Sequence, residues 1–598
     1  MRHRGPDASG TWFEESGTVA LGHVRLAILD LTSEANQPMV CTTKGNVIVF
    51  NGEIYNYKAL REELVKLGWL FRTSSDTEVL LSAYGQWGAE CLQRLNGMFA
   101  FGVYDAVNKQ IYFARDRIGK KPLYYSLWNN ELVFGSEIKA ILAARPDMPR
   151  DMDYRALKEY MDIGYIPGEL SIYKHVHKLE PACHAVYDFK TKAFSKHPYW
   201  TLSASCQQTI TEDEAAEELE SLIREAVKIR LQSDVPVGVF LSGGLDSCLI
   251  AAVAARENPD LVAYTAKFPM SRYDESAVAK RVADSLGIQH RMLQIEATDG
   301  SILEKLACQF DEPFGDSSLL PTYLISQAIR RHVKVALSGD GGDELFAGYD
   351  YYALTQREMK WSLIPETVRK AFSQLHKLMP VGMHGKNFLR RLPHDGVERF
   401  LFASFKPEHD TIAPFNNNID AILSGLPADD YRRNILRKLQ GSESDSSLTL
   451  LQEMTLLDLF SYLPDDVLVK VDRASMLASL EVRSPLLDYR IVEFAFGLPD
   501  HMRLKGDIRK CLLKKIARKY LPKDFPYDRK QGFSIPEAEW FNGPWSGLLD
   551  TSADGRSQIF EAASVAKIRR MHIDTGRYGR HLFKILMLQL FEANYGKT

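Results

Sequence analysis

An apolar run of strand length, Val-Pro-Val-Gly-Val-Phe-Leu from Val235 to Leu241, leads straight into a small polar turn, Ser242-Gly243-Gly244-Leu245-Asp246-Ser247. Good helix formers follow, CLIAAVAA from Cys248 to Ala255, with no Gly or Pro until Pro259. Strand, glycine turn and helix are therefore expected in that order, with Ser247 placed to cap the first helical turn. Such a turn can hold phosphate: paired glycines let the backbone approach closely, and the free N–H groups and dipole of the helix N-terminus face the anion. Leu241, Ser242, Gly243, Gly244, Asp246 and Ser247 are thus candidates for an anion cradle, with hydroxyl donors from the two serines. A Walker A loop is excluded because no Lys-Ser or Lys-Thr pair follows, and a dinucleotide fingerprint because the spacing is not GxGxxG. A tight strand-to-helix turn with glycines relieving crowding accounts for the same residues.

The chain beyond this turn alternates strand and helix. Strands are expected over Leu261 to Phe268, His290 to Ile295 and Val333 to Leu337, and helices over Glu275 to Leu286 and near residues 302 and 324. A βαβ series of this kind gives a parallel sheet with ligands at the carboxyl ends of its strands. A second turn, Ser338-Gly339-Asp340-Gly341-Gly342-Asp343-Glu344, leaves the strand VKVAL in the same geometry and should face the same crevice. Mg²⁺ usually takes one or two carboxylates plus phosphate oxygens and water, and Asp246 and Asp343 are the candidates to supply them. A solvated acidic loop, with glycines for its positive φ angles, is the alternative.

Residues 1 to about 190 read differently, as short strands (Thr18 to Leu29, Asn46 to Phe50, Met98 to Tyr104, Gln110 to Ala114, Pro122 to Trp128, Glu131 to Phe134) with helices over Tyr57 to Leu67 and Asp76 to Tyr84, Asp76 serving as N-cap. A layered α+β domain is expected. Asn51-Gly52 between VIVF and EIYNY is a type I′ hairpin signal. Singly, Arg25 and Asp76 are accounted for as surface charges. The polar stretch TLSASCQQTI reads as a linker, and Thr211 to Glu214 as a capping box that opens the next helix. The expected division is 1–190, a linker over 191–210, and 211–598.

A chain of 598 residues exceeds one ordinary core. Its net charge of −3 leaves no nucleic-acid footprint. Apolar runs near eight residues fall far short of the roughly 20 that span a bilayer, and the N-terminus has no signal-peptide core. The seven cysteines (Cys41, Cys91, Cys183, Cys206, Cys248, Cys308 and Cys511) are scattered and form no CxxC pair. That argues against a disulfide framework or a zinc site and for a cytoplasmic enzyme.

Taken together the motifs do more than they do singly. SGGLDS after a hydrophobic strand resembles the pyrophosphate loop of ATP pyrophosphatases. HRGPDASG, GHVRLAILD, NGEIYNY, SSDTEVLL, LNGMFAFGVYD, ARDRIGKKPLYY and FGSEIKAI follow one another as in the amidotransferase domain of glutamine-hydrolysing asparagine synthetases, a class II, N-terminal-nucleophile-type fold. DEPFGDSSLLPTYLIS, LSGDGGDELFAGY, VKVDRASMLASLEVRSPLLD and YDRKQGFSIP resemble the synthetase half of the same family. The resemblance implies a glutamine pocket from Arg25, Asn51, Gly52, Glu53 and Asp76, ATP contacts that include Ser338 and Gly339, and two residues for the chemistry. Those are Asp340, at an acid of the intermediate chemistry, and Lys530, at a lysine that stabilises charge developing on phosphorus and on the tetrahedral adduct.

It also implies the reaction: ATP-dependent amidation of a carboxylate, L-aspartate in the family, through an acyl-adenylate with release of AMP and pyrophosphate. Its small-molecule partners are ATP, Mg²⁺, the carboxylate, and glutamine or ammonia, and a homodimer is compatible with the family. No motif encodes the carboxylate pocket, so a sugar uronic acid or a peptide carboxylate is an alternative acceptor, and a non-catalytic binding or regulatory relic an alternative of another class. Family members begin Met-Cys-Gly, where the Cys supplies both thiol and α-amine. Here the first Cys is Cys41. The expectation is that roughly thirty N-terminal residues of the family pattern, nucleophile included, are absent, and that ammonia serves as nitrogen source.

Overall fold

The computed structural model describes residues 1–202, 209–267, 275–294, 300–380, 382–405, 414–426, 431–441, 448–528, 535–549 and 557–595. The first two strands, β1 (Ala8–Phe13) and β2 (Ala20–Arg25), form an antiparallel hairpin. The strands β3 (Met39–Val40), β4 (Val47–Ile54), β5 (Gly97–Asp105) and β6 (Gln110–Arg115) follow. After them come β7 (Tyr124–Trp128), β8 (Glu131–Gly135) and β9 (His177–Lys178), which pair into a separate three-stranded sheet. With β10 (Cys183–Asp188) and β11 (Phe194–Pro198), the remaining strands make a six-stranded antiparallel sheet in the order β11-β10-β6-β5-β4-β3.

Strand alternation splits this sheet's side chains between two cores. Ile48, Phe50, Phe99 and Phe101 pack with Leu60 and Leu64 of helix Tyr57–Lys66 and with Val79 and Leu80 of helix Asp76–Trp87. Val47, Ala100, Tyr104 and Phe113 face Leu21 and Tyr125.

Two local expectations are corrected here. Asn51-Gly52 is no hairpin turn: both lie inside β4, opposite Ala100 and Phe99 of β5. The glycine is needed for another reason. Gly52 has φ +144°, and a Cβ there would lie 1.9 Å from the Met98 carbonyl oxygen, so only glycine lets β5 come this close. All eight residues of β4 then pair with β5, more ladder than a hairpin between VIVF and EIYNY could offer. The N-cap of helix Asp76–Trp87 is Ser75, whose hydroxyl accepts from Glu78 N–H. That leaves Asp76 one residue inside, its Oδ2 accepting from Ile54 N–H at 2.9 Å.

The second sheet is parallel, with β12 (Val237–Phe240), β13 (Val262–Lys267), β14 (Gln289–Gln294), β15 (Val335–Leu337) and β16 (Glu481–Arg483) in the order β14-β13-β12-β15-β16. Strand order reverses between β12 and β15, which opens a crevice at their carboxyl ends. Helix Leu245–Glu257 leaves that crevice and is buried along most of its length. Its N-cap is Gly244, which corrects the cap expected at Ser247: the helix begins earlier, and the Ser247 hydroxyl turns back to Ser242. The capping box at Thr211 and Glu214 is present and starts helix Glu212–Arg230. Short helices fill most of the described chain between 350 and 441.

Buried ion pairs join the N-terminal part of the chain to the C-terminal part. Arg4 reaches Asp472 at 2.8 Å, and Arg483 reaches Glu53 at 2.9 Å. Among the described residues no helix is long and apolar enough to cross a membrane.

Candidate active site

The turns after β12 and β15 meet across the crevice. A Cβ on Gly339 would lie 2.7 Å from Ser247 N, and one on Gly342 2.5 Å from Asp246 Cγ, so the glycines of the second turn are the surface against which the first one packs. Both turns line one cavity of about 540 Å³. Of the expected nucleotide residues, Leu241, Ser242, Gly244, Asp246, Ser247, Ser338 and Gly339 line it, together with Asp340 and Asp343. Gly243 stands just behind, its N–H donating to Glu275 Oε2 at 3.2 Å. A carboxylate thus sits at the glycine turn, at the N-terminus of a 13-residue helix, where an anion is favoured. Ser242 and Ser247 share a hydroxyl hydrogen bond of 2.7 Å, and Gly244 N–H donates to Ser242 Oγ at 3.1 Å.

Asp246 and Asp343 converge on one cation. The Lys510 ammonium donates to Asp246 Oδ2 and lies 2.8 Å from Asp343 Oδ1. Burial alone would depress this lysine, yet the two carboxylates hold it above its ordinary range. Asp340 takes a different role, its Oδ2 accepting from Ser338 Oγ at 2.6 Å and from Ser484 Oγ at 3.3 Å. Lys530 lies outside the described residues.

The sequence reading missed several charged residues that line this cavity, among them Glu275, Asp316, Lys470 and Lys510. Lys470 Nζ donates to Asp316 Oδ2 at 2.8 Å, and against the pull of burial this partner holds Asp316 down at about 2. Glu344, beside Asp343, is pushed up to about 7, first by burial and then by its neighbour's charge, and accepts from Tyr349 Oη at 2.6 Å. Asp316 and Lys470 stood in the motifs DEPFGDSS and VKVDR, but as single charges in loop-like text they gave no signal of pairing across 154 residues.

A second cavity, of about 550 Å³, is lined mainly by residues 1–140, with Met476 and Glu481 closing it. Arg25, Asn51, Gly52, Glu53 and Asp76 all line it. Arg25 hydrogen-bonds the carbonyls of Leu29, Asp30 and Thr32 and the Asn36 side chain, so it braces the following loop as well as lending the cavity its charge. Burial pushes Asp76 up to about 6, and Glu53 is raised by burial and by Asp76 despite its pairing with Arg483. His23, also in the wall, donates from Nε2 to Phe50 O at 3.0 Å and is driven down to about 4, mainly by burial. The described wall contains Met1 and no cysteine.

Comparison with known proteins matches the family model Asparagine synthase over residues 218–593 and Glutamine amidotransferase domain over residues 1–200. The chain is 34% identical to glutamine-hydrolysing asparagine synthetase 1 of Bacillus subtilis (strain 168), over 90% of this chain and 83% of that one. It is 32% identical to asparagine synthetase 3 of the same organism, over 89% and 82%. Amidase chry2 of Gibberella zeae is 27% identical over 91% and 85%.

Proposed function

Because the chain belongs to the asparagine synthase family, we propose that it makes L-asparagine from L-aspartate, ATP and a nitrogen donor through a β-aspartyl-adenylate. One observation carries the reading: two glycine turns from adjacent parallel strands converge on one cavity and bring Asp246 and Asp343 to a single cation. That pair is a fit for Mg²⁺ bound with a nucleotide, because Lys510 shows that the site already holds a cation and Mg²⁺ needs few protein carboxylates. Among the described residues no group of three or more His, Cys, Asp or Glu side chains could hold a metal alone, so the phosphates would supply the remaining ligands. When bound, the metal would neutralise charge on the departing pyrophosphate.

The chain's own residues do the rest. The hydroxyls of Ser242 and Ser247 and the first N–H groups of helix Leu245–Glu257 cradle the phosphates at the helix N-terminus. The substrate carboxylate oxygen attacks the α-phosphorus, breaking its bond to the bridging oxygen of pyrophosphate. Ammonia then adds to the acyl carbon, loses a proton, and expels AMP. Lys530 is assigned to the charge that develops on phosphorus and on the tetrahedral adduct, and Asp340 to the intermediate chemistry. Arg25, Asn51, Gly52, Glu53 and Asp76 form the glutamine site, and the work divides between residues 1–190 and 211–598.

The resemblance to an amidase favours a second reading, amidation of another carboxylate on the same scaffold. Pyrophosphate release with ATP, Mg²⁺ and ammonium, screened over aspartate, uronic acids and peptide acids, separates the two. Aspartate alone should support release at full rate, and release only with another acid would replace it.

A further inference from the structure

Lys510 is seated with unusual care for a surface-derived lysine. It comes from neither glycine turn, but from the N-cap of helix Cys511–Ala517, and it is only 9% exposed. Its backbone is left-handed, φ +53° and ψ +40°, a conformation that costs a non-glycine residue energy and is kept where the surroundings enforce it. Its N–H donates to Phe346 O at 3.2 Å, which ties it to the end of the second turn. Gly348 makes the room: a Cβ there would lie 2.1 Å from Lys510 Cε and 2.0 Å from Asp343 Oδ1.

We propose that Lys510 is the resident counter-ion of the Asp246–Asp343 pair, and that it makes metal binding conditional on nucleotide. This rests on the reading of the pair as metal ligands. Two carboxylates facing one cavity repel each other unless a cation sits between them, and Lys510 supplies that cation without a metal. A free divalent ion arriving there meets a fixed ammonium as well as the carboxylates, so it gains little. An ion arriving with a triphosphate brings anionic charge of its own, which the ammonium attracts and which lets the metal take the carboxylates. The order of events follows from charge: the site accepts the metal–nucleotide complex and rejects the free ion.

The test is Mn²⁺ binding to the full chain, read by the loss of the free-ion paramagnetic signal, with and without the non-cleavable α,β-methylene-ATP. Wild type should bind Mn²⁺ at this site only with the nucleotide. Lys510→Met should bind it without nucleotide, at least about tenfold more tightly than wild type does. Lys510→Gln, closer in polarity, should do the same if the Met variant fails to fold, and Lys510→Arg should keep the nucleotide requirement. Adding Asp343→Asn to Lys510→Met should remove the gained binding. Equal Mn²⁺ binding by wild type with and without nucleotide, or no gain in either neutral variant, would overturn the inference alone. No Mn²⁺ binding by wild type even with nucleotide would remove the metal-ligand reading and this inference with it.

Discussion

Asp246 and Asp343 each offer one carboxylate to the same point, so neither should replace the other. Asp246→Asn and Asp343→Asn preserve volume while removing a ligand charge, and each should lower Mg²⁺-dependent pyrophosphate release by at least about a hundredfold with circular dichroism unchanged. Near-normal release in both would defeat the assignment. Lys530→Ala should lower kcat far more than it raises the KM for ATP, because a charge aimed at the transition state acts where charge develops. A change confined to KM would count against that role. His23 supplies a pH signature. Its folded pKa of about 4 lies below the ordinary 6.5, so the unfolded chain binds the proton more readily. The stability this contributes is present above pH 6.5 and is lost as pH falls through 4, on the order of 3 kcal/mol in full. Denaturant melts of His23→Gln across pH 4 to 7 should show a shallower acid limb than wild type, and parallel limbs would contradict the assignment.

At the scale of elements, glycines at crowded positions decide more than glycines in turns. Gly52→Ala would push a methyl group into the Met98 carbonyl and strain φ, so β4 and β5 should part, with a loss of several degrees in Tm or outright failure to fold. An unchanged Tm would show that the strands can yield. The sequence led to the wrong element here because Asn-Gly between two apolar runs has the same local signature whether the partner strand is adjacent or 43 residues away. Strands and helices around SGGLDS were legible within a few residues, since an apolar run ending in a glycine turn is a local pattern. The strand β16 was not, because of its three residues the two that are buried, Glu481 and Arg483, are charged and pair with each other and with Glu53. Likewise, both glycine turns could be read as facing one crevice, but the lysine joining their acids could not, since it stands 167 residues beyond Asp343 with no pattern of its own.

For the whole molecule, one chain carries two cavities, one walled by residues that include Arg25, Asn51, Gly52, Glu53 and Asp76, the other by the glycine turns after β12 and β15. The buried pair of Arg483 with Glu53 ties the wall of the first cavity to the parallel sheet that carries the second.

The central claim is an acyl-adenylate, and oxygen transfer tests it most directly. With aspartate labelled by ¹⁸O in its side-chain carboxylate, and unlabelled ATP, Mg²⁺ and ammonium, mass spectrometry should find one labelled oxygen in each AMP, none in pyrophosphate, and one AMP for each asparagine formed. Label appearing in inorganic phosphate with ADP as the nucleotide product, or unlabelled AMP alongside asparagine, would contradict it.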